Sequence, residues 1–302
     1  MVDLCFLGTL GNIPLPNRHL AALMVAYNGR KILVDCGEGT QVAIREGGLG
    51  FKNIDCICIT HVHGDHIIGL PGLLSTMGNS DRREKVKIIG PVGLKKVVDG
   101  LNIINPYLPY ELEVVEVATE EIVLSDEIII SSLELEHSTN CVGYSFYFKR
   151  RRKFDREKAE GNNVPKILWS KLQKNEEEIE YEGNIYTKEM VLGDERRGIK
   201  LSYITDTRPI KEIPKFIKDS DLFICEGNYG DDNDLDKALK NKHMTFRESA
   251  TLAKLGECME LKITHFSPSL QNPEDFIHNA KEVFENSSIA YDGELKTISY
   301  RE

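Results

Sequence analysis

The 302-residue chain has no apolar run approaching the ~20 residues that a membrane-spanning helix needs, so no part of it is expected to cross a bilayer. Its opening, Met1-Val2-Asp3-Leu4-Cys5-Phe6, lacks a basic segment followed by an apolar stretch, which predicts no secretory signal. Paired cysteines are missing as well. The seven, at 5, 36, 56, 58, 141, 225 and 258, are odd in number, scattered, and several lie in apolar strand-like runs. That usage excludes a disulfide scaffold and predicts reduced, buried thiols in a cytoplasm. Cys56 and Cys58 alternate with Ile57 and Ile59 and read as strand packing, not as ligands. No internal repeat is evident. Positive charge is scarce too: 38 Lys and Arg face 48 Asp and Glu, a net charge of −10, which argues against a broadly basic surface for nucleic acid. The exception is the run Lys149-Arg150-Arg151-Arg152-Lys153, and local charge decides a binding face.

What is present fits a globular protein able to bury a large core, with 41% hydrophobic and 28% charged residues. Strand-like runs at 4–7, 20–27 and 31–35 are separated by Gly-rich or Asn-Gly turns. A helix is expected over 66–77, then strands at 86–89, 111–117, 127–135 and 142–148. Short apolar strands at 201–205, 222–225 and 261–264 each end in polar residues, where α/β enzymes place their chemistry. Helices are expected over 245–255 and 273–284. From about 150 to 197 the chain is charged and poor in large apolar residues, and a protruding, irregular arm is expected there, with Ile167-Leu168-Trp169 near its tip.

His61-Val62-His63-Gly64-Asp65-His66 packs four metal-ligand side chains into six residues, directly after the apolar run Asp55-Cys56-Ile57-Cys58-Ile59-Thr60. Side chains two apart on extended backbone share a face, so His61 and His63 can grip one ion. A turn at Gly64 brings Asp65 and His66 back toward the same space, where they can hold a second. Imidazole and carboxylate together suit Zn2+, with Fe, Mn or Co as substitutes. Two ions need further ligands. His137, Asp206 and His265 each stand where a strand gives way to a loop, as His61 does.

The order His-x-His-x-Asp-His, His, Asp, His resembles that of the metallo-β-lactamase superfamily. Asp35-Cys36-Gly37-Glu38-Gly39-Thr40-Gln41, His243-Met244-Thr245-Phe246-Arg247-Glu248-Ser249-Ala250 and Phe6-Leu7-Gly8-Thr9 narrow the resemblance to the ribonuclease Z (tRNA 3′-processing endonuclease) branch, over essentially the whole chain. The resemblance implies an α/β fold, an αββα sandwich of two facing sheets with helices outside. It implies one domain over 1–302, with the arm at 150–197 inserted as an RNA-holding exosite. His61, His63 and His137 would hold one ion, Asp65, His66 and His265 the other, with Asp206 bridging them and Asp35 orienting the His-rich loop.

The chemistry implied is phosphodiester hydrolysis by hydroxide formed at two divalent ions, Zn2+ first, with Mn2+ or Fe2+ as alternatives. Asp65 would accept the water proton, and Glu226 with His243 would relay a proton to the leaving 3′-oxygen. The products are a 3′-hydroxyl and a 5′-phosphate, and the substrate is a precursor tRNA losing its 3′ trailer. A homodimer, one subunit's arm clamping RNA on the other's site, is implied as well. Arg18, Lys149, Arg150, Arg151, Arg152, Lys153, Lys166, Lys171 and Arg247 are the residues expected to touch substrate.

Three stretches depart from the branch pattern. Pro14-Leu15-Pro16-Asn17-Arg18-His19 stands where Pro-x-Lys-x-Arg-Asn is usual, Phe266-Ser267-Pro268-Ser269-Leu270 where Phe-Ser-x-Arg-Tyr is usual, and the arm's segment 162–172 has no glycine. Each removes an RNA contact and leaves the metal ligands intact, and phosphate contacts govern affinity and positioning. The alternative reading is therefore a phosphodiesterase acting on a small molecule such as a cyclic nucleotide. A non-catalytic RNA-binding scaffold is a third, for which the proton-relay residues have no use.

Overall fold

The computed structural model describes residues 1–174 and 178–301, so residues 175–177 of the expected arm lie outside the description. In chain order the strands are β1 (Val2–Gly8), β2 (Ala22–Tyr27), β3 (Arg30–Val34), β4 (Ile54–Cys58), β5 (Val86–Pro91), β6 (Leu112–Val117), β7 (Glu121–Ser125) and β8 (Ile128–Leu135). They continue with β9 (Cys141–Arg150), β10 (Glu178–Tyr181), β11 (Asn184–Thr187), β12 (Arg196–Ile204), β13 (Leu222–Glu226), β14 (Leu261–Thr264), β15 (Ser287–Ile289) and β16 (Leu295–Ile298). Two seven-stranded sheets result, ordered β16-β1-β2-β3-β4-β5-β6 and β15-β14-β13-β12-β9-β8-β7. In the first, β3, β4, β5 and β6 run parallel; in the second, β12, β13, β14 and β15 do.

Burial explains why these runs form strands. All five residues of β13 and all four of β14 are buried, as expected for parallel strands covered on both faces. On the first sheet, Ala43 and Ile44 of the helix Thr40–Glu46, Leu73, Leu74 and Met77 of Leu70–Asn79, and Val98 of Leu94–Leu101 pack with Leu33, Ile57 and Ile88 in one apolar cluster. On the second, Phe246, Ala250 and Ala253 of the helix Phe246–Leu255 pack with Phe223, Cys225 and Ile263. The buried Tyr144 of β9 ties the two sheets together, its hydroxyl donating to the carbonyls of Ile59 (2.7 Å) and Ile89 (3.2 Å).

The expected helix over 66–77 is two helices, Gly64–Ile67 and Leu70–Asn79. The break falls at Gly69, whose N–H donates to the Cys36 carbonyl (3.0 Å) instead of continuing the helix, and where a Cβ would overlap the Gly37 carbonyl. Over 273–284 a single helix was expected; a 3-10 turn, Pro273–Phe276, precedes a short α-helix, Ile277–Lys281.

Two compact units are present, Met1–Phe148 with Ile199–Ser299, and Lys149–Gly198 with the C-terminal residues from Tyr300. The second is regular, where the sequence predicts an irregular arm. It holds helices Arg156–Gly161 and Lys166–Gln173 and the antiparallel hairpin of β10 and β11. Ala159, Val164, Leu168, Leu172, Val191 and Leu192 form its small core, with Phe154 and Trp169 against it.

Candidate metal centre and active site

The chemistry-bearing residues sit where strands end. His61 follows β4, Asp35 β3, His137 β8, Asp206 β12 and His265 β14, while Glu226 is the last residue of β13. After β4, His63 is extended (φ −68°, ψ 151°), and one helical turn follows that carries Asp65 and His66. Asp35, Asp206 and His265 adopt positive φ of 58°, 47° and 57°. Non-glycine residues seldom do so, at a cost of about 1–3 kcal/mol each, and such strain concentrates at functional sites.

Asp35 is fully buried and acts from behind the cluster. Its carboxylate accepts the Thr60 N–H (2.8 Å) and hydroxyl (2.9 Å) and the His66 Nδ1–H (2.8 Å). That last bond leaves His66 Nε2 pointing to the other ligands with its lone pair free. Thr60 Oγ1 also lies 3.1 Å from His61 Nδ1 and orients that ring in the same way.

His61 Nε2 lies 3.0 Å from His63 Nδ1, which lies 3.2 Å from His137 Nε2. His66 Nε2 lies 3.1 Å from His265 Nε2, and Asp65 Oδ2 is 3.5 Å from each of them. Asp206 faces both groups. Its Oδ2 is 3.7 Å from His61 and 3.8 Å from His137, its Oδ1 3.5 Å from His66 and 3.2 Å from His265. A tetrahedral ion with bonds of about 2.0–2.1 Å sets its ligand atoms about 3.3 Å apart, so both groups have the spacing that a metal requires. His61, His63, His137 and Asp206 can thus hold one ion, and Asp65, His66 and His265 another. Burial holds His61 well below the ordinary histidine range, in the neutral form a ligand needs. Burial alone would raise Asp65, but the His265 and His66 imidazoles beside it outweigh burial and keep the carboxyl ionised.

Glu226 and His243 lie beside this cluster. Glu226 is fully buried and takes the Thr207 N–H at Oε1 (2.7 Å) and the Met244 N–H at Oε2 (3.1 Å). His243 Nδ1 is 3.2 Å from Glu226 Oε2 and 3.9 Å from Asp206 Oδ2. Burial pushes the imidazole down, yet the Glu226 carboxylate and then Asp206 raise it to about 9, so it carries a proton at neutral pH. His63, Asp65, His137, Asp206, His243 and His265 all open into one cleft of about 680 Å³.

The residues expected to touch substrate have contacts of their own. Arg18 donates to the Leu270 carbonyl (3.5 Å) and stacks over Phe266. Arg247 pairs with Asp232 (2.6 Å) and Glu282 (2.7 Å). In the second unit, Arg150 lies over Tyr300, Arg152 pairs with Glu189 (2.8 Å), the Arg151 carbonyl accepts from Arg196, and Lys166 lies over Trp169. Lys149, Lys153 and Lys171 belong to the same unit.

Sequence reasoning passed over Thr60, Asn12 and Asn228. The Asn12 N–H donates to Asp65 Oδ2 (2.6 Å), and Asn228 Nδ2 lies 3.4 Å from His265 Nδ1. Neighbouring Gly11 was the available signal: a Cβ there would stand 2.5 Å from the His265 ring, so only glycine admits this approach.

The family model described as "Anti-Pycsar protein Apyc1" matches residues 2–154. A ribonuclease Z of Clostridium botulinum (strain Alaska E43 / Type E3) is 62% identical over 314 aligned positions, covering 99% of each chain. Among solved structures, the short form of human tRNase Z superposes with a TM-score of 0.71 at 24% identity, over 98% of this chain and 99% of that one. The metallo-β-lactamase-fold protein YhfI of Bacillus subtilis gives 0.70 at 18% identity, over 98% and 100%. At these identities the two structures speak for the fold alone: it is the metallo-β-lactamase fold.

Proposed function

The chain belongs to the ribonuclease Z family, and its first half to the family described as anti-Pycsar protein Apyc1; on that footing we propose that it removes the 3′ trailer from precursor tRNA with two divalent ions. The observation that carries this is the convergence of seven ligand-type side chains beside the Glu226–His243 pair. His61, His63 and His137 would hold one ion, Asp65, His66 and His265 the other, with the two oxygens of Asp206 shared between them. Zn2+ suits this donor set first, with Mn2+ or Fe2+ as alternatives. When bound, such ions neutralise a phosphodiester oxygen and make a water nucleophilic near neutral pH.

The chain's own groups do the rest. Asp65, kept ionised by its neighbours, accepts the proton of the attacking water, and the Asn12 N–H fixes its carboxylate. His243 gives its proton to the leaving 3′-oxygen, and Glu226 holds the imidazole for that transfer. One fragment leaves with a 3′-hydroxyl and the other with a 5′-phosphate. Asp35 orients His66 and so the ligand loop.

RNA is held by the inserted segment 150–197, through the run 149–153, Lys166 and Lys171, with Arg18 and Arg247 as lesser contacts whose charges are already engaged. We place the enzyme in the cytoplasm as a homodimer; seven buried free thiols support the reducing compartment.

Side-by-side assays on a precursor tRNA and on bis(p-nitrophenyl) phosphate test the substrate. Lys166→Ala with Lys171→Ala is expected to lower kcat/KM for tRNA about tenfold and to spare the small diester, since a phosphate contact acts on binding. Hydrolysis of the small diester without cleavage of tRNA would favour a small-molecule phosphodiesterase instead.

A further inference from the structure

His243 lies in a short connection between the helices Leu235–Asn241 and Phe246–Leu255, so its aim depends on what grips that connection. Arg208 does so. Its Nη1 donates to the His243 carbonyl oxygen, and its guanidinium forks onto Glu248, Nη1 to Oε2 at 3.0 Å and Nη2 to Oε1. Glu248 also accepts the Thr245 N–H (2.9 Å), while Thr245 Oγ1 accepts the Glu248 N–H (3.3 Å) in a capping box. The main chain of the same loop grips the neighbouring walls. Thr207 N–H donates to Glu226, and Arg208 N–H to the Glu136 carbonyl (3.1 Å), one residue before His137. Successive residues Asp206, Thr207 and Arg208 thus touch the ligand cluster, Glu226 and the backbone carrying His243.

Resting on the reading of His243 as proton donor, we propose that Arg208 and Glu248 are a positioning pair that fixes the His243 imidazole against Glu226. The pair is 13% and 22% exposed at its side chains and does not line the cleft, so its effect on turnover passes through His243. A planar guanidinium meets a carboxylate and a carbonyl at once; an ammonium has no such fork.

The test compares two leaving groups on the metal-loaded, full-length enzyme. A ribose 3′-oxygen needs a proton to leave, whereas p-nitrophenolate does not. For Arg208→Ala, kcat on precursor tRNA is expected to fall about a hundredfold, with KM changed less than about threefold, and the fall on bis(p-nitrophenyl) phosphate to be at least about tenfold smaller. Added guanidinium restores part of the tRNA rate. Glu248→Gln keeps the capping box and shows the same pattern more weakly, which covers the case in which Arg208→Ala does not fold. His243→Ala, run alongside, separates the two readings. If it loses no more on tRNA than on the diester, the proton-donor reading fails. If it does lose more, and both variants lose equally on the two substrates or on neither, the positioning pair alone is overturned.

Discussion

Asp35 shows how far a residue can act without lining the cleft. Three hydrogen bonds from Thr60 and His66 end on its buried carboxylate. Asp35→Ala is expected to weaken metal binding by about 10–100-fold, read by competition with a coloured chelator, because His66 loses the partner that fixes its ring. The ligands themselves were legible in the sequence, since a two-residue alternation and a polar residue at a strand end can be read directly. Thr60 was not. Its hydroxyl gains a role only once β3 and β4 lie side by side and bring Asp35 to it, and a lone threonine carries no mark of that. Arg18 is a different case: its type and loop pointed to substrate, and its stacking over Phe266 could not be read from either. The thiols offer a second test at this scale. Burial pushes Cys36 and Cys258 up to about 12, and Cys58, Cys141 and Cys225 well up. Thiolate therefore forms in the folded state only far above pH 9. At pH 8 a thiol-specific disulfide reagent is expected to leave these five unreacted until the protein is unfolded.

Among the elements, β14 was legible to the residue, being a short apolar run with polar ends, and the helix expected over 245–255 starts one residue later, with Thr245 as its cap. Thr245→Ala is expected to cost about 1 kcal/mol in thermal unfolding, through loss of the capping box. The break at Gly69 was not legible, because helical periodicity runs through it and its N–H is taken by the distant Cys36 carbonyl. Gly64–Ile67 carries Asp65 and His66, and a Cβ at Gly69 would overlap the Gly37 carbonyl beside it. Gly69→Ala is expected to lower metal occupancy as well as melting temperature, whereas Gly48→Ala, where a Cβ meets nothing, should lower the melting temperature slightly and spare occupancy. Metal analysis of the purified variants reads the difference.

For the whole molecule, two sheets lay their strand ends along one edge, so residues from 35 to 265 meet although no local pattern joins them. The ligand order made that convergence readable by resemblance; composition and periodicity alone would have left a set of polar strand ends. The insert was harder to read. Its core is six small or medium apolar residues in a charged stretch, too few to stand out from a loop. A site of buried imidazoles and carboxylates binds metal only when folded, so stability depends on the ions. Chelation is expected to lower the melting temperature by several degrees and abolish activity, and Zn2+ to restore both; an excess of about 100 Kd corresponds to about 2.7 kcal/mol. The most direct measurement of the central claim is to map the ends made when the metal-loaded enzyme cuts a precursor tRNA. The account predicts one cut at the 3′ side of the mature acceptor end, leaving a 3′-hydroxyl and a trailer with a 5′-phosphate, and lost in His243→Ala. A cut leaving a 3′-phosphate, or no cut from an enzyme that still hydrolyses bis(p-nitrophenyl) phosphate, would contradict it.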